Sequence, residues 1–339
     1  MRRDESMDLM KTVLVVFMII AHVIQFFPCG RVAHIFSDYV NLTMFSGFMF
    51  SFGYSCNVAY LSCKADKKLW KRLMRKMVKT ILVFYCSAIA YTYFVANSLN
   101  LQSLLRIVMF RTIPGYSEFI VSFAVVYPLV FLLAKTHDIW KTSTCLVILV
   151  GVSLLLTQMD YGKISTPILG TVIGISSMPS FPVLLYLSYF VGGIYFSKTQ
   201  KILNYPILFF SFVGTLLFLF YCLKTSSLPE RFPPSFTWIV GGYGPVYTYF
   251  IVSKKVKKTG WSRALSVPGR NSLIFLLISN SLIFLSFSMY RQQYDKMSTI
   301  NQKLFCLGMI ISSLMIPTLV SFFSEHYRFN KGFCNNKTV

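Results

Sequence analysis

The sequence predicts an all-α fold: a polytopic membrane helix bundle of about ten transmembrane helices with both termini in the cytoplasm. Three observations predict it. Of 339 residues, 55% are hydrophobic and only 13% are charged, where an ordinary soluble domain carries roughly 25% charged residues. Mean hydropathy is +0.60 and aromatic residues make up 17%, more apolar surface than a water-soluble globule can cover. Finally, long apolar runs recur along the chain, and Lys and Arg fall unevenly between them. A soluble enzyme, a disordered chain and a secreted disulfide scaffold are thereby excluded.

A span needs about 20 mostly apolar residues, with tolerance down to about 17. The first such run, 9–28, carries Lys11 and His22 and has no small-residue cleavage pattern behind it, so it stays in the protein. The second is 40–62, and the third, 77–96, follows a basic cluster. Residues 99–110 are amphipathic and short, which fits an interfacial helix. The fourth and fifth runs are 116–134 and 142–159. Residues 164–180 hold Pro167, Gly170, Gly174 and Pro179, and read as an outer loop or re-entrant piece. The remaining runs are 181–197, 205–223, 235–252, 271–288 and 304–324, which makes 1–339 a single integral-membrane domain.

Net charge is +22. In a soluble chain that would point to nucleic acid; here it is a topology signal. With the N-terminus inside, 23 Lys and Arg fall in inner segments and nine in outer ones, the cytoplasmic excess expected of a cell-membrane protein. No nucleic-acid partner is needed to explain it. Eight cysteines show no CxxC and no ligand-like spacing with the four histidines, so neither a metal site nor a disulfide framework is expected.

Ionisable groups inside a span are costly and mark function by default. Lys11 and His22 stand eleven residues apart on one helix face, about 16 Å along the axis. A snorkelling lysine and a packed histidine are the plain readings; function is favoured for His22 about two to one on position alone. In the basic cluster before the third span, Arg72 and Arg75 are i,i+3 neighbours, a paired guanidinium site for phosphate oxygens. For the surrounding lysines, inside-positive topology suffices. Trp70 reads as an interfacial anchor rather than a stacking platform for adenine.

In combination these features resemble the acyltransferase-3 family of membrane acyltransferases. The first span has the form Asp-x-x-Lys, ten residues, His (Asp8, Lys11, His22), and the second contains Phe45-Ser46-Gly47-Phe48. Arg72 and Arg75 stand where that family has its Arg-x-x-Arg pair. Phe119 through Tyr127-Pro128, Tyr189 through Tyr195, Phe232-Pro233-Pro234 and Gly269-Arg270-Asn271-Ser272-Leu273 follow in the family's order, covering about residues 6–290. The Phe-Pro-Pro element is similar to that of the polysaccharide O-acetyltransferase branch. Two positions depart: Glu118 stands where the family often has Trp, and Asn280 lies where it has a histidine. The hydrolase-like C-terminal domain of many relatives is not in this sequence.

The resemblance implies acetyl-CoA as donor, bound from the cytoplasm, and a carbohydrate hydroxyl as acceptor, with no metal. Arg72 and Arg75, helped by the cluster Lys254–Lys258, would meet the coenzyme A phosphates. Lys11 and Ser46 complete the donor-side candidates, and Ser46 is also the one serine open as an acyl carrier. His22, with a side-chain pKa near 6.5, suits a general base for the acceptor hydroxyl, or becomes transiently acylated. Asp8 is about 21 Å from His22, too far to orient it, and pairs with Lys11 or Arg72. Glu118 would bind sugar hydroxyls or orient His22. The alternative from another class is a carrier or flippase for lipid-linked sugars, which commonly shows paired repeats; none is present.

Overall fold

Asp4 starts the fold. In a computed structural model describing residues 4–61, 65–136, 143–256 and 265–335 (side chains at 143–146 and 325–335 excepted), its carboxylate caps α1 (Glu5–Phe26), accepting from Ser6 N at 3.0 Å. Twenty-two residues rise about 33 Å, one hydrocarbon core. Gly30, with φ +116, lets the chain turn straight into α2 (Arg31–Cys56). That helix begins nine residues before the apolar run, because no breaker follows Gly30. One π-helical turn, Asn57–Leu61, extends it. α3 (Lys67–Phe94) likewise takes in the basic cluster, because the Asp66 carboxylate caps it through Leu69 N at 2.7 Å.

The amphipathic stretch is the eight-residue α4 (Leu101–Val108), closed by a capping box between Asn100 and Ser103. α5 (Glu118–Lys135) and α6 (Ser143–Leu156) follow. The Pro- and Gly-bearing segment holds a six-residue helix, α7 (Pro167–Val172). Then come α8 (Leu187–Thr199), α9 (Tyr205–Thr225), α10 (Phe236–Gly241), α11 (Tyr243–Val256), α12 (Val267–Arg270), α13 (Ser272–Tyr294) and α14 (Thr299–Asn335). The described residues contain no strand.

The protein is all-helical, and six helices are long and apolar enough to cross a membrane: α1, α3, α5, α9, α13 and Thr299–Ser324 of α14. The other four expected runs look different for local reasons. α2 has 26 residues but buries Ser37, Thr43, Ser46 and Ser51, which lower its hydropathy. α6 has 14 residues, and α8 has 13 because turns occupy residues 183–186. The eighth run is interrupted at Gly242, between α10 and α11.

α1 is the axis of the bundle, packed against α2, α11, α12, α13 and α14. Two glycine contacts bring backbones together. A Cβ at Gly53 of α2 would fall on the Phe190 carbonyl oxygen of α8, and one at Gly193 of α8 on the Phe50 oxygen of α2. Such small-residue crossings replace the hydrophobic drive that helices lack in lipid. At the other contact, a Cβ at Gly269 would fall on Asp8 O, while Gly269 N donates to Thr12 Oγ1 at 3.0 Å. α9 and α14 lie outermost, exposing Phe209, Phe210, Phe220, Leu304, Leu307 and Phe322. An apolar face of that size suits lipid.

The start of α1 is tied down by a buried polar triangle. Lys254 Nζ of α11 donates to Asp4 Oδ2 at 2.8 Å and to Tyr54 OH at 2.8 Å, and Tyr54 OH donates to Asp4 at 2.9 Å. Burial by itself would raise the Asp4 carboxyl, but the hydrogen bonds from Lys254, Ser6 and Tyr54 hold it well below the usual carboxylate range.

Two measurements of thermal unfolding in detergent test these contacts. Gly53→Ala and Gly193→Ala should each cost about 1–3 kcal/mol, whereas Gly151→Ala, where a Cβ meets nothing within 4 Å, should not destabilise. Asp4→Asn keeps a capping residue and removes the charge, so it should cost about 1 kcal/mol at pH 7. Because the Asp4 pKa is depressed, its contribution is present above pH ~4 and fades as pH falls. The gap between wild type and Asp4→Asn should therefore begin to narrow below pH ~4 and close only as pH falls through the depressed folded-state pKa; a gap that does not shrink between pH ~5 and pH ~2 contradicts the assignment.

Candidate functional site

A cavity of about 500 Å³ opens beside the first turns of α1. Its wall is charged near the mouth, where Asp4, Asp8, Lys11, Lys76 and Arg270 line it, and apolar deeper in, at Phe48, Phe119, Phe123 and Leu276. Lys11 Nζ pairs with Asp8 at 2.9 Å, the first of the two partners expected for that aspartate. Arg270 reaches the wall because Gly269 lets the α12 turn settle onto the α1 backbone. Lys76 Nζ stands 5.4 Å from the Tyr60 ring centre.

Arg72 lies at the rim. Its Nη2 donates to Ala59 O at 2.6 Å and its guanidinium covers the Tyr60 ring at 4.7 Å, and Ala59 and Tyr60 both line the cavity. Arg75, one turn on, is exposed. Trp70 packs against Phe131 of α5 at 4.8 Å, as an anchor would. Of the cluster Lys254–Lys258, Lys254 is committed to Asp4 and Tyr54, and Lys257 and Lys258 lie outside the described residues. Ser46 is buried with its hydroxyl bonded back to Leu42 O at 3.2 Å, and does not line the cavity; Ser51 and Ser55 of the same helix do.

The second polar group surrounds His22, near the far end of α1. The ring is 6% exposed, and its Nδ1 is 2.8 Å from Asn280 Oδ1 of α13. Asn280 Nδ2 donates to Tyr116 O at 3.4 Å, so the amide NH₂ faces that carbonyl and the amide oxygen faces histidine. The oxygen can only accept, which places the proton on Nδ1 and leaves the Nε2 lone pair available. Tyr116 also packs edge-on against the ring at 5.0 Å. Glu118, 7% exposed at the start of α5, has its carboxylate in the field of the backbone N–H groups of Glu118, Ser117 and Tyr116. Of the two roles expected of Glu118, orienting the ring falls instead to Asn280.

The two groups are separate but close. His22 does not line the cavity, yet Phe119 adjoins Glu118, and Leu276 is one helical turn, about 6 Å, from Asn280. Of the residues singled out in the sequence, Lys11 lines the cavity and Arg72 lies at its rim, while His22 and Glu118 fall in the second group and Arg75 and Ser46 in neither. Sequence reasoning passed over Asn280, Lys76 and Arg270 as site residues, although Arg270 lay inside a quoted motif and Asn280 was noted as a departure. Among the described residues, no group of three His, Cys, Asp or Glu could hold a metal ion.

Nitrogen NMR of His22 tests the ring assignment. Wild type should show a single Nδ1–H tautomer, and Asn280→Leu a mixture; a wild-type ring protonated on Nε2 would contradict it.

Compared with protein families, curated proteins and solved structures, the chain matches none.

Proposed function

We propose that the protein is an integral-membrane O-acetyltransferase of the cell membrane. In this reading it passes an acetyl group from cytoplasmic acetyl-CoA to a hydroxyl of a bacterial surface or capsular polysaccharide, or of its lipid-linked precursor. One observation carries it: a cavity lined by cations at one end of α1 reaches Phe119 and Leu276, which adjoin Glu118 and stand one turn from Asn280, the partner of a histidine with an open Nε2. The topology that goes with it is the ten-span one, with both termini and the cavity mouth on the cytoplasmic side, where Lys and Arg accumulate.

The chemistry of the donor fits that layout. Coenzyme A ends in phosphates, which Arg72 at the rim and Arg75 one turn on would hold with help from Lys76 and Arg270. A volume of about 500 Å³ is of ligand-pocket size, and its inner wall of phenyl rings suits the mostly apolar pantetheine arm. Transfer then needs a base where thioester and hydroxyl meet. His22 Nε2 takes the hydroxyl proton as the oxygen attacks the thioester carbonyl; the carbon–sulfur bond breaks and the thiolate leaves by the cavity. The same imidazolium can return its proton to the departing sulfur.

Acetyl transfer by the purified protein is the test. His22→Ala should lower turnover by about 10²–10⁴-fold while barely altering the acetyl-CoA requirement. Arg72→Ala with Arg75→Ala should raise KM for acetyl-CoA about tenfold or more and spare kcat. Near-normal turnover of His22→Ala, or an unchanged KM for the double variant, overturns the respective assignment. Binding of a lipid-linked sugar with no acetyl-CoA binding would favour the carrier reading instead.

A further inference from the structure

A cation packed on Phe181, in the field felt by His22 and Glu118, goes unused in the reaction outlined above. Arg231 belongs to the link between α9 and α10, residues 226–235. Ser226 ends α9 in the left-handed region at φ +52, and the chain then doubles back on itself. Ser235 N donates to Glu230 O at 3.0 Å, and Arg231 bridges Pro234. This tight hairpin turns the arginine inward. Its guanidinium lies 4.5 Å from the centre of the Phe232 ring and 5.5 Å from that of Phe181. Phe181 in turn meets Phe119 edge-on, next to Glu118.

The arginine is held by rings and not by anions. Among the described residues, no carboxylate lies within 4.0 Å of it, and its Nε is buried with no hydrogen-bond partner. A partly buried guanidinium with its Nε shut off from water and no ion pair is costly, and two phenyl faces return only part of the lost hydration. The charge also acts at a distance on a defined set of groups: His22, Glu118, Tyr116, Tyr186 and Asp38. Burial pushes the Arg231 pKa down, and Tyr186, Glu118, Tyr116 and Asp38 push it back up. An arginine stays protonated in a protein, so the site keeps a full positive charge, with an unspent Nε–H, in the field of the candidate base.

We infer that the acceptor is anionic, and that a carboxylate or phosphate on it pairs with the Arg231 fork so that a hydroxyl of the same molecule comes to His22. Guanidinium and oxyanion match as a two-pronged pair, which fixes orientation as well as affinity. Glu118 would hydrogen-bond neutral hydroxyls of the same molecule. The inference rests on the acyltransferase reading, but its test does not depend on turnover.

Equilibrium binding to the purified full-length protein is measured with three probes of similar size: a neutral oligosaccharide, a uronic-acid oligosaccharide and a sugar phosphate. Wild type should bind at least one charged probe about 10- to 100-fold more tightly than the neutral one. Which charged probe wins tells carboxylate from phosphate. Arg231→Gln should abolish the preference without changing acetyl-CoA binding, and Arg231→Lys should retain part of it. Should Arg231→Gln fail to fold, the wild-type preference and the Arg231→Lys variant still decide. Equal binding of neutral and charged probes, no binding of either charged probe, or an unaltered preference in Arg231→Gln overturns the inference. Charged-probe discrimination without any acetyl transfer would leave the anion site standing and remove the acyltransferase reading.

Discussion

α1 is buried along most of its length, yet carries Asp8 and Lys11 near one end and His22 near the other. That single constraint organises the rest of the bundle. A polar group on a buried helix must find a partner or cost several kcal/mol, and each partner here comes with a packing device that delivers it. Asp4 is met by Lys254 and Tyr54 from α11 and α2. His22 is met by Asn280 from α13. Between them, the contact of Gly269 with the Asp8 backbone sets α12, and with it Arg270, against the same helix. The neighbours of α1 are thus placed as much by hydrogen bonds as by apolar fit, as expected where lipid removes the hydrophobic preference for helix contact.

This division explains why the two ends of α1 differ. At the Lys11 end several charged groups, Asp4, Asp8, Lys11, Lys76 and Arg270, line the cavity. At the His22 end the groups are few and fixed. Asn280 can satisfy Tyr116 and histidine at once only in one orientation. An amide is a better orienter than a carboxylate in such surroundings, because it sets the tautomer without adding a second buried charge. Glu118 remains outside that hydrogen bond, with Arg231 acting on it at longer range.

Much of the architecture was legible in the sequence because lipid imposes a coarse, length-based rule. Every long apolar run became a helix or helix pair, and the amphipathic piece after the third run became α4. Boundaries were missed where local capping overrode hydropathy: Asp66 carries α3 back through ten basic and mixed residues, and Gly30 starts α2 early. Span length was misjudged where a run held turns, as before α8, or a break, as at Gly242. Buried serines and threonines made α2 look less apolar than its surroundings require.

The site was legible in part, and the missing part has one cause. His22, Lys11 and the arginine pair announce themselves because a charge in or beside an apolar run is rare and costly. Asn280 and Arg231 carry no such signal. The first is a neutral amide in a helix with serines on either side, and the second sits in a link that looks like an ordinary polar loop. Their importance lies in what the fold places opposite them. For Arg231 that placement depends on the hairpin of residues 230–235 and on Phe181, some 50 residues earlier in the chain. An inside-positive count assigns this arginine to the outer minority and stops there, because the count weighs exposed charge and cannot register burial. Folded in against Phe181 and Phe232, in the field felt by Glu118 and His22, the same charge stops being only a topology marker and, in the reading proposed above, selects which molecule approaches the histidine.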